Sequence, residues 1–119
     1  MTAYPLPKPN YIPVQWCGAS GTFYEFQLDP IGSTYHVRGG VYIFCKLAQN
    51  GNWDAVYIGE TGNFNRRLST DLATHHKLGC INKHGATHIC TLHVPGELAL
   101  REGIETDLRR QIWTPCNDQ

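Results

Sequence analysis

An Asn-Gly pair set between two β-branched and aromatic runs constrains this chain more than any other feature. The runs are Val41-Tyr42-Ile43-Phe44 and Ala55-Val56-Tyr57-Ile58, and the polar segment between them holds Asn50-Gly51-Asn52. Asn-Gly tolerates the positive φ that hairpin turns require, so the pattern predicts a β-hairpin. By two-residue alternation Tyr42 shares a face with Phe44, and Tyr57 with Ala55. A register that joins those faces puts both phenols on one side. The second strand stops at Gly59, and Thr61-Gly62-Asn63 leads into Phe64-Asn65-Arg66-Arg67-Leu68, where the apolar spacing changes from two to three or four. A helix is predicted from there to about Ala73, with Asn63 as its N-cap.

The far end of the chain is helical in pattern from Glu97 to Trp113, where Leu100, Ile104, Leu108 and Ile112 repeat as a core stripe. Glu105 lies about 60° round from Leu108 by helix geometry, which predicts a partly buried carboxylate near the sheet. Glu102 and Asp107 read as solvated face charges. Gly103 costs about 1 kcal/mol relative to Ala inside a helix, which suggests that another backbone or a ligand comes close. Asn117 follows Glu105 by twelve residues, within Thr114-Pro115-Cys116-Asn117.

Gly40-Val41-Tyr42, then Tyr57-Ile58-Gly59, then Arg67 eight residues beyond that glycine, then Glu105 and Asn117, stand in the order of the GIY-YIG endonuclease family, which this stretch closely resembles. The resemblance spans roughly residues 39 to 119. It implies an α/β (α+β) fold built on a small, mainly antiparallel three-stranded sheet flanked by helices, with residues 1–38 as an extension that packs on the core and adds an N-terminal extra strand. It also implies a nuclease domain over 39–119 that hydrolyses phosphodiester bonds in DNA with Mg²⁺, for which Mn²⁺ can substitute. By the same resemblance Glu105 is the sole protein ligand of the metal, Arg67 clamps the scissile phosphate, Tyr42 takes or orders the proton of the attacking water, and Tyr57 holds water or phosphate. Gly40, Gly59 and Asn117 are scaffold positions beside the site. Fourteen residues separate Tyr42 from Tyr57, a few more than is usual in the family, and the extra length falls in the polar turn. Some members carry a histidine one helical turn after the arginine; that position is Asp71 here, and His75, a further turn along, is the candidate auxiliary base.

Around this core the reading is coarser. Three prolines within Pro5-Leu6-Pro7-Lys8-Pro9 predict an extended arm, and Thr22 to Leu28 alternates as a strand that adds an edge to the sheet, with Trp16 and Tyr24 as core residues. Gly79 and Gly85 mark loops, and Thr87 to Val94 reads as a further strand. Cys80, His84, His88 and Cys90 supply two thiolates and two imidazoles within eleven residues, the ligand set of a structural zinc site, though without Cys-x-x-Cys spacing. Five cysteines, an odd number, do not make a disulfide framework.

Ten basic residues balance ten acidic ones, so no overall field draws the chain to DNA. Phosphate contacts must come from a local patch such as Arg66, Arg67, Lys77 and Lys83. The N-terminus lacks the pattern of a signal peptide and no apolar run reaches membrane-spanning length, so a cytoplasmic protein with no membrane partner and no small-molecule cofactor is expected. The chain carries one copy of each motif, so one centre nicks one strand, and a homodimer is one arrangement that would cut both. A catalytically inactive nucleic-acid-binding module of the same fold, and a zinc-stabilised interaction domain, are the alternative functions.

Overall fold

A computed structural model describes residues 12–117 of the chain. The proline-rich arm before Ile12 lies outside the described residues. Five strands, β1 (Ile12–Cys17), β2 (Phe23–Pro30), β3 (Gly40–Leu47), β4 (Trp53–Thr61) and β5 (His88–His93), form one antiparallel sheet in the order β1-β2-β5-β3-β4. The expected three-stranded sheet is therefore five-stranded. β2 bonds directly to β5, so the N-terminal hairpin continues the sheet that β3, β4 and β5 begin.

The predicted hairpin is β3 and β4. Its loop turns at Gly51, with φ of 87°, and the Asn50 side chain accepts the Asn52 N–H at 2.9 Å. β3 is central and buried on both faces from Gly40 to Cys45, which is why it reads as an unbroken apolar run. One face carries Val41, Ile43 and Ile58 with Trp16, Phe26 and Leu108; the other carries Tyr42, Phe44 and Tyr57 with Phe64, Leu68 and Ile81.

The register contains one irregularity with a chemical consequence. Phe44 pairs with Tyr57 but Cys45 pairs with Ala55, so Val56 is an extra residue on β4. Such a bulge reverses the alternation beyond it. Tyr57 therefore joins Tyr42 and Phe44, as predicted, whereas Ala55 packs with the opposite core, contrary to the simple alternation.

The helices depart further. Asn63 does cap the segment that follows, its Oδ1 accepting the Arg66 N–H at 3.0 Å. The segment then widens into a π-helical turn over Arg66–Thr70, ends at Asp71, and gives a single 3₁₀ turn over Leu72–Thr74 in place of a continuous helix to Ala73. A short helix α1 (Leu78–Lys83) follows and includes Gly79, which the sequence placed in a loop. The C-terminal helix α2 (Leu98–Gln111) packs against β4, β3 and β1. Leu108 is buried and Ile104 and Ile112 are partly so, but Leu100 is 56% exposed, as is Leu98 in the same first turn of α2 at 48%. Asp107 is not a free face charge: its carboxylate accepts from the Ser20 N–H, the Ser20 hydroxyl and the Tyr24 hydroxyl, fastening the β1–β2 turn to α2. Nothing lies within 4 Å of a Cβ built on Gly103, so no other part of the described chain requires that glycine.

Candidate active site

Two glycines show how the backbone makes room for the phenols. Gly59 stands directly across from Tyr42 on β4, and a Cβ there would meet the Tyr42 Cζ and Oη atoms at 2.6 Å and Tyr57 Cε2 at 2.9 Å. The Tyr42 ring therefore lies over the space that Gly59 leaves. Gly40 is closed off by the backbone itself, since its Cβ would meet the Leu92 carbonyl oxygen at 1.9 Å and Phe64 Cζ at 2.8 Å.

Tyr42 is fully buried, and its hydroxyl lies 2.8 Å from Nε2 of His75, itself only 4% exposed. The break at Asp71 does not carry His75 away; the 3₁₀ turn delivers the ring to the sheet, edge-on to Tyr42, Phe44 and Tyr57 and stacked on His76. The other ring nitrogen settles the tautomer. Nδ1 accepts the Lys77 backbone N–H at 3.1 Å, so in neutral His75 the proton sits on Nε2 and is donated to Tyr42 Oη. Burial, with the charges of Arg67 and His76, pushes the His75 pKa down to about 4, so the ring is neutral near pH 7.

The Tyr42 phenol is held well above its ordinary pKa, first by burial, then by Tyr57 and Glu105, while the Arg67 guanidinium opposes the rise. Tyr57 is raised by burial and by Glu105 and lowered by Arg67. Two directed hydrogen bonds result, the Lys77 N–H to His75 and His75 to Tyr42, and the Tyr57 ring, 8% exposed, lies beside them with its centroid 6.1 Å from that of Tyr42.

Arg67 and Glu105 act on both phenols from different elements, the π-helical turn and α2. Among the described residues neither side chain has a counter-ion within ion-pair distance. Arg101, a candidate partner for Glu105 by its spacing, turns instead to Glu60 at 3.0 Å. Burial raises the Glu105 carboxyl from its ordinary value, Arg109 opposes, and Glu60 and Glu102 add to the rise. A half-buried carboxylate left without a bonded cation suits one divalent metal that keeps most of its waters, which is how Mg²⁺ binds. Sequence reasoning missed the pairing of Glu60, one residue beyond Gly59, with Arg101.

Asn117 frames the site from outside. β4 is an edge strand, and the Asn117 side chain bonds both backbone groups of Ile58 at 2.8 Å, standing in for a sixth strand between Tyr57 and Gly59. The Thr114 hydroxyl donates to the Asn117 carbonyl oxygen, and the Cys116 N–H bonds to the Val56 carbonyl at 3.1 Å, on the bulge. Of the remaining basic residues, Arg66 is exposed and pairs with Asp71 at 3.1 Å, and with Arg67 it lines a cleft of about 400 Å³ bounded by Thr61, Gly62, Asn63 and Thr74. Lys77 is half-buried at the start of α1.

The four expected zinc ligands do not converge. Cys90 lies in the opposite core, 3.9 Å from Cys45, and His88 bonds Thr87 and rests against Trp53. Cys80 is instead disulfide-bonded to Cys116, with His84 beside the pair. No helix among the described residues is long and apolar enough to cross a membrane. Comparison with protein-family models, with curated proteins and with solved structures returned no match.

Proposed function

We propose that the chain is a Mg²⁺-dependent DNA endonuclease of the GIY-YIG type that nicks one strand per centre. The observation that carries this reading is that Arg67 and Glu105, neither with an ion-pair partner among the described residues, bear with opposite charge on the neighbouring Tyr42 and Tyr57 phenols. Structural ion pairs neutralise each other, whereas phosphodiester hydrolysis needs a cation free for the phosphate and a carboxylate free for a metal.

Glu105 would hold the Mg²⁺, which when bound supplies a Lewis acid for phosphate oxygens. Arg67 stabilises the charge that develops on the phosphate, from a turn fixed by the Asn63 cap. Tyr42 is poorly suited to begin as a base, because burial keeps it protonated. Its Oη accepts one hydrogen bond from His75, which leaves its own proton and one lone pair for the attacking water. As that water attacks, its proton would pass to Tyr42 Oη while the original phenol proton leaves to solvent on the side of Tyr57. His75 keeps its proton throughout and donates to the oxygen where negative charge appears. His75 is therefore a positioning donor in this scheme and not the auxiliary base of the sequence reading.

The test is supercoiled plasmid with Mg²⁺ or Mn²⁺. Open circle is expected before linear product, first order in protein. Glu105→Ala is expected to lower the rate at least 10²-fold, about 2.7 kcal/mol in activation free energy. Wild-type rates in a Glu105→Ala protein with unchanged circular dichroism would end the assignment.

A further inference from the structure

We propose that Cys80, His84 and Cys116 form a Zn²⁺ site whenever the Cys80–Cys116 disulfide is open, so that the C-terminal segment is clamped to α1 by a bond in oxidising conditions and by a metal in reducing ones. This goes beyond the cleavage reading and does not depend on it. Cys80 and His84 lie one turn apart at the end of α1, and Cys116 comes to them from the segment that edges β4. Their three donor atoms all lie within 4.8 Å of one another. Sulfur and nitrogen ligands on tetrahedral zinc sit about 3.5 to 3.8 Å apart, so side-chain rotation alone converts one arrangement into the other. Two soft thiolates with one imidazole select zinc over Mg²⁺, and leave a fourth position for water.

The surroundings favour a ligand role for His84. Its backbone carbonyl is fixed by the Lys46 ammonium at 2.8 Å, while its ring makes no hydrogen bond among the described residues. Cys80 and Cys116 are partly and fully buried, with the Pro115 carbonyl next to the Cys80 sulfur, so the site is shielded on one side and open at the histidine.

The chemistry balances with a dithiol reductant. Two electrons and two protons pass from the dithiol to the disulfide, giving two protein thiols and an oxidised reductant. Zn²⁺ then displaces both thiol protons and takes neutral His84 through a ring nitrogen. The metal restores the clamp on Cys116 and so on Asn117, which holds Ile58 beside Tyr57.

Protein reduced with a phosphine and stripped of metal is titrated with Co²⁺ as an optical probe, then with Zn²⁺ in competition. One Co²⁺ per chain is expected, with a thiolate-to-cobalt charge-transfer band that Zn²⁺ abolishes. The band should vanish in Cys80→Ser and Cys116→Ser, weaken at least tenfold in affinity in His84→Ala, and persist in His88→Ala and in Glu105→Ala. Should burial of Cys116 make its variant unfold, His84→Ala decides, since its ring is not in the core. Folded, reduced protein that gives no thiolate band, a band indifferent to His84→Ala, or equal binding by the oxidised protein would overturn the proposal. Survival of the band in Glu105→Ala separates this site from the cleavage centre.

Discussion

Gly59→Ala should disable the phenol pair while leaving the sheet intact. The added Cβ would stand 2.6 Å from the Tyr42 Cζ and Oη atoms and 2.9 Å from Tyr57 Cε2. Ordinary contact begins near 3.5 Å, so the Tyr42 ring must retreat by about 0.9 Å. It has little room to do so, being fully buried between Phe44, Tyr57 and His75. Overpacking of this kind costs about 1–3 kcal/mol, and stretching the 2.8 Å bond to His75 by nearly an ångström removes about 1 kcal/mol more. Stability should therefore fall by about 2–4 kcal/mol. A displacement of about 1 Å at a reacting group costs on the order of 10²-fold in rate. The assay is plasmid nicking beside urea denaturation, with Gly62→Ala as the control, because its Cβ would meet only the Arg101 guanidinium at 3.6 Å. Nicking by Gly59→Ala within threefold of wild type, or equal damage from Gly62→Ala, would refute the claim that Gly59 exists to seat Tyr42.

Gly103→Ala should raise stability by about 0.5–1 kcal/mol, since its Cβ meets nothing and helix propensity improves; weaker DNA binding in the same variant, read by filter binding, would show that the glycine serves a ligand's approach. Neutral His75 has a folded pKa of about 4 against an ordinary value of 6.5, so the unfolded chain binds the extra proton between those values and stability is lost as pH falls from about 6.5 to about 4. The full shift is worth about 3 kcal/mol at 1.36 per unit, and about 1–2 after screening by solvent beyond exposed His76; urea midpoints of wild type and His75→Gln across that window test it, the variant losing the slope. Cleavage should fall on the acid side as Glu105 is protonated, its acid limb displaced upward because burial raises this carboxyl, and a pH–rate profile of plasmid nicking checks it.

Much of the local structure around the candidate site was legible because its residues lie in local patterns. Asn50-Gly51 specified the hairpin, Asn63 the cap, and the distance of Glu105 from Leu108 its partial burial. What failed depended on single insertions or distant pairings. The Val56 bulge inverts which face Ala55 takes, and alternation contains no sign of one extra residue. The turn after Arg67 widens and breaks before it can carry His75 as a helix would, yet tertiary packing brings the ring to Tyr42. Asp107 looked solvated because its partner Ser20 is 87 residues away. The cysteine pairing joins positions 36 apart, and periodicity is silent at that range.

The position of β5 sets the order in which this sheet can assemble. It bonds β2 on one side and β3 on the other, joining Gln27 to Thr91 and Ile43 to Cys90, partners 64 and 47 residues apart. Hairpins β1–β2 and β3–β4 need only local closure, on the order of microseconds, whereas each β5 pairing carries a loop-closure cost of about 3.5 kcal/mol before any contact offsets it. Until β5 docks, β2 and the largely apolar β3 present bare hydrogen-bonding edges to the solvent and to other chains. Crowded, slowly folding molecules would then pair through those edges, which makes late docking of β5 the step at which productive folding and aggregation compete.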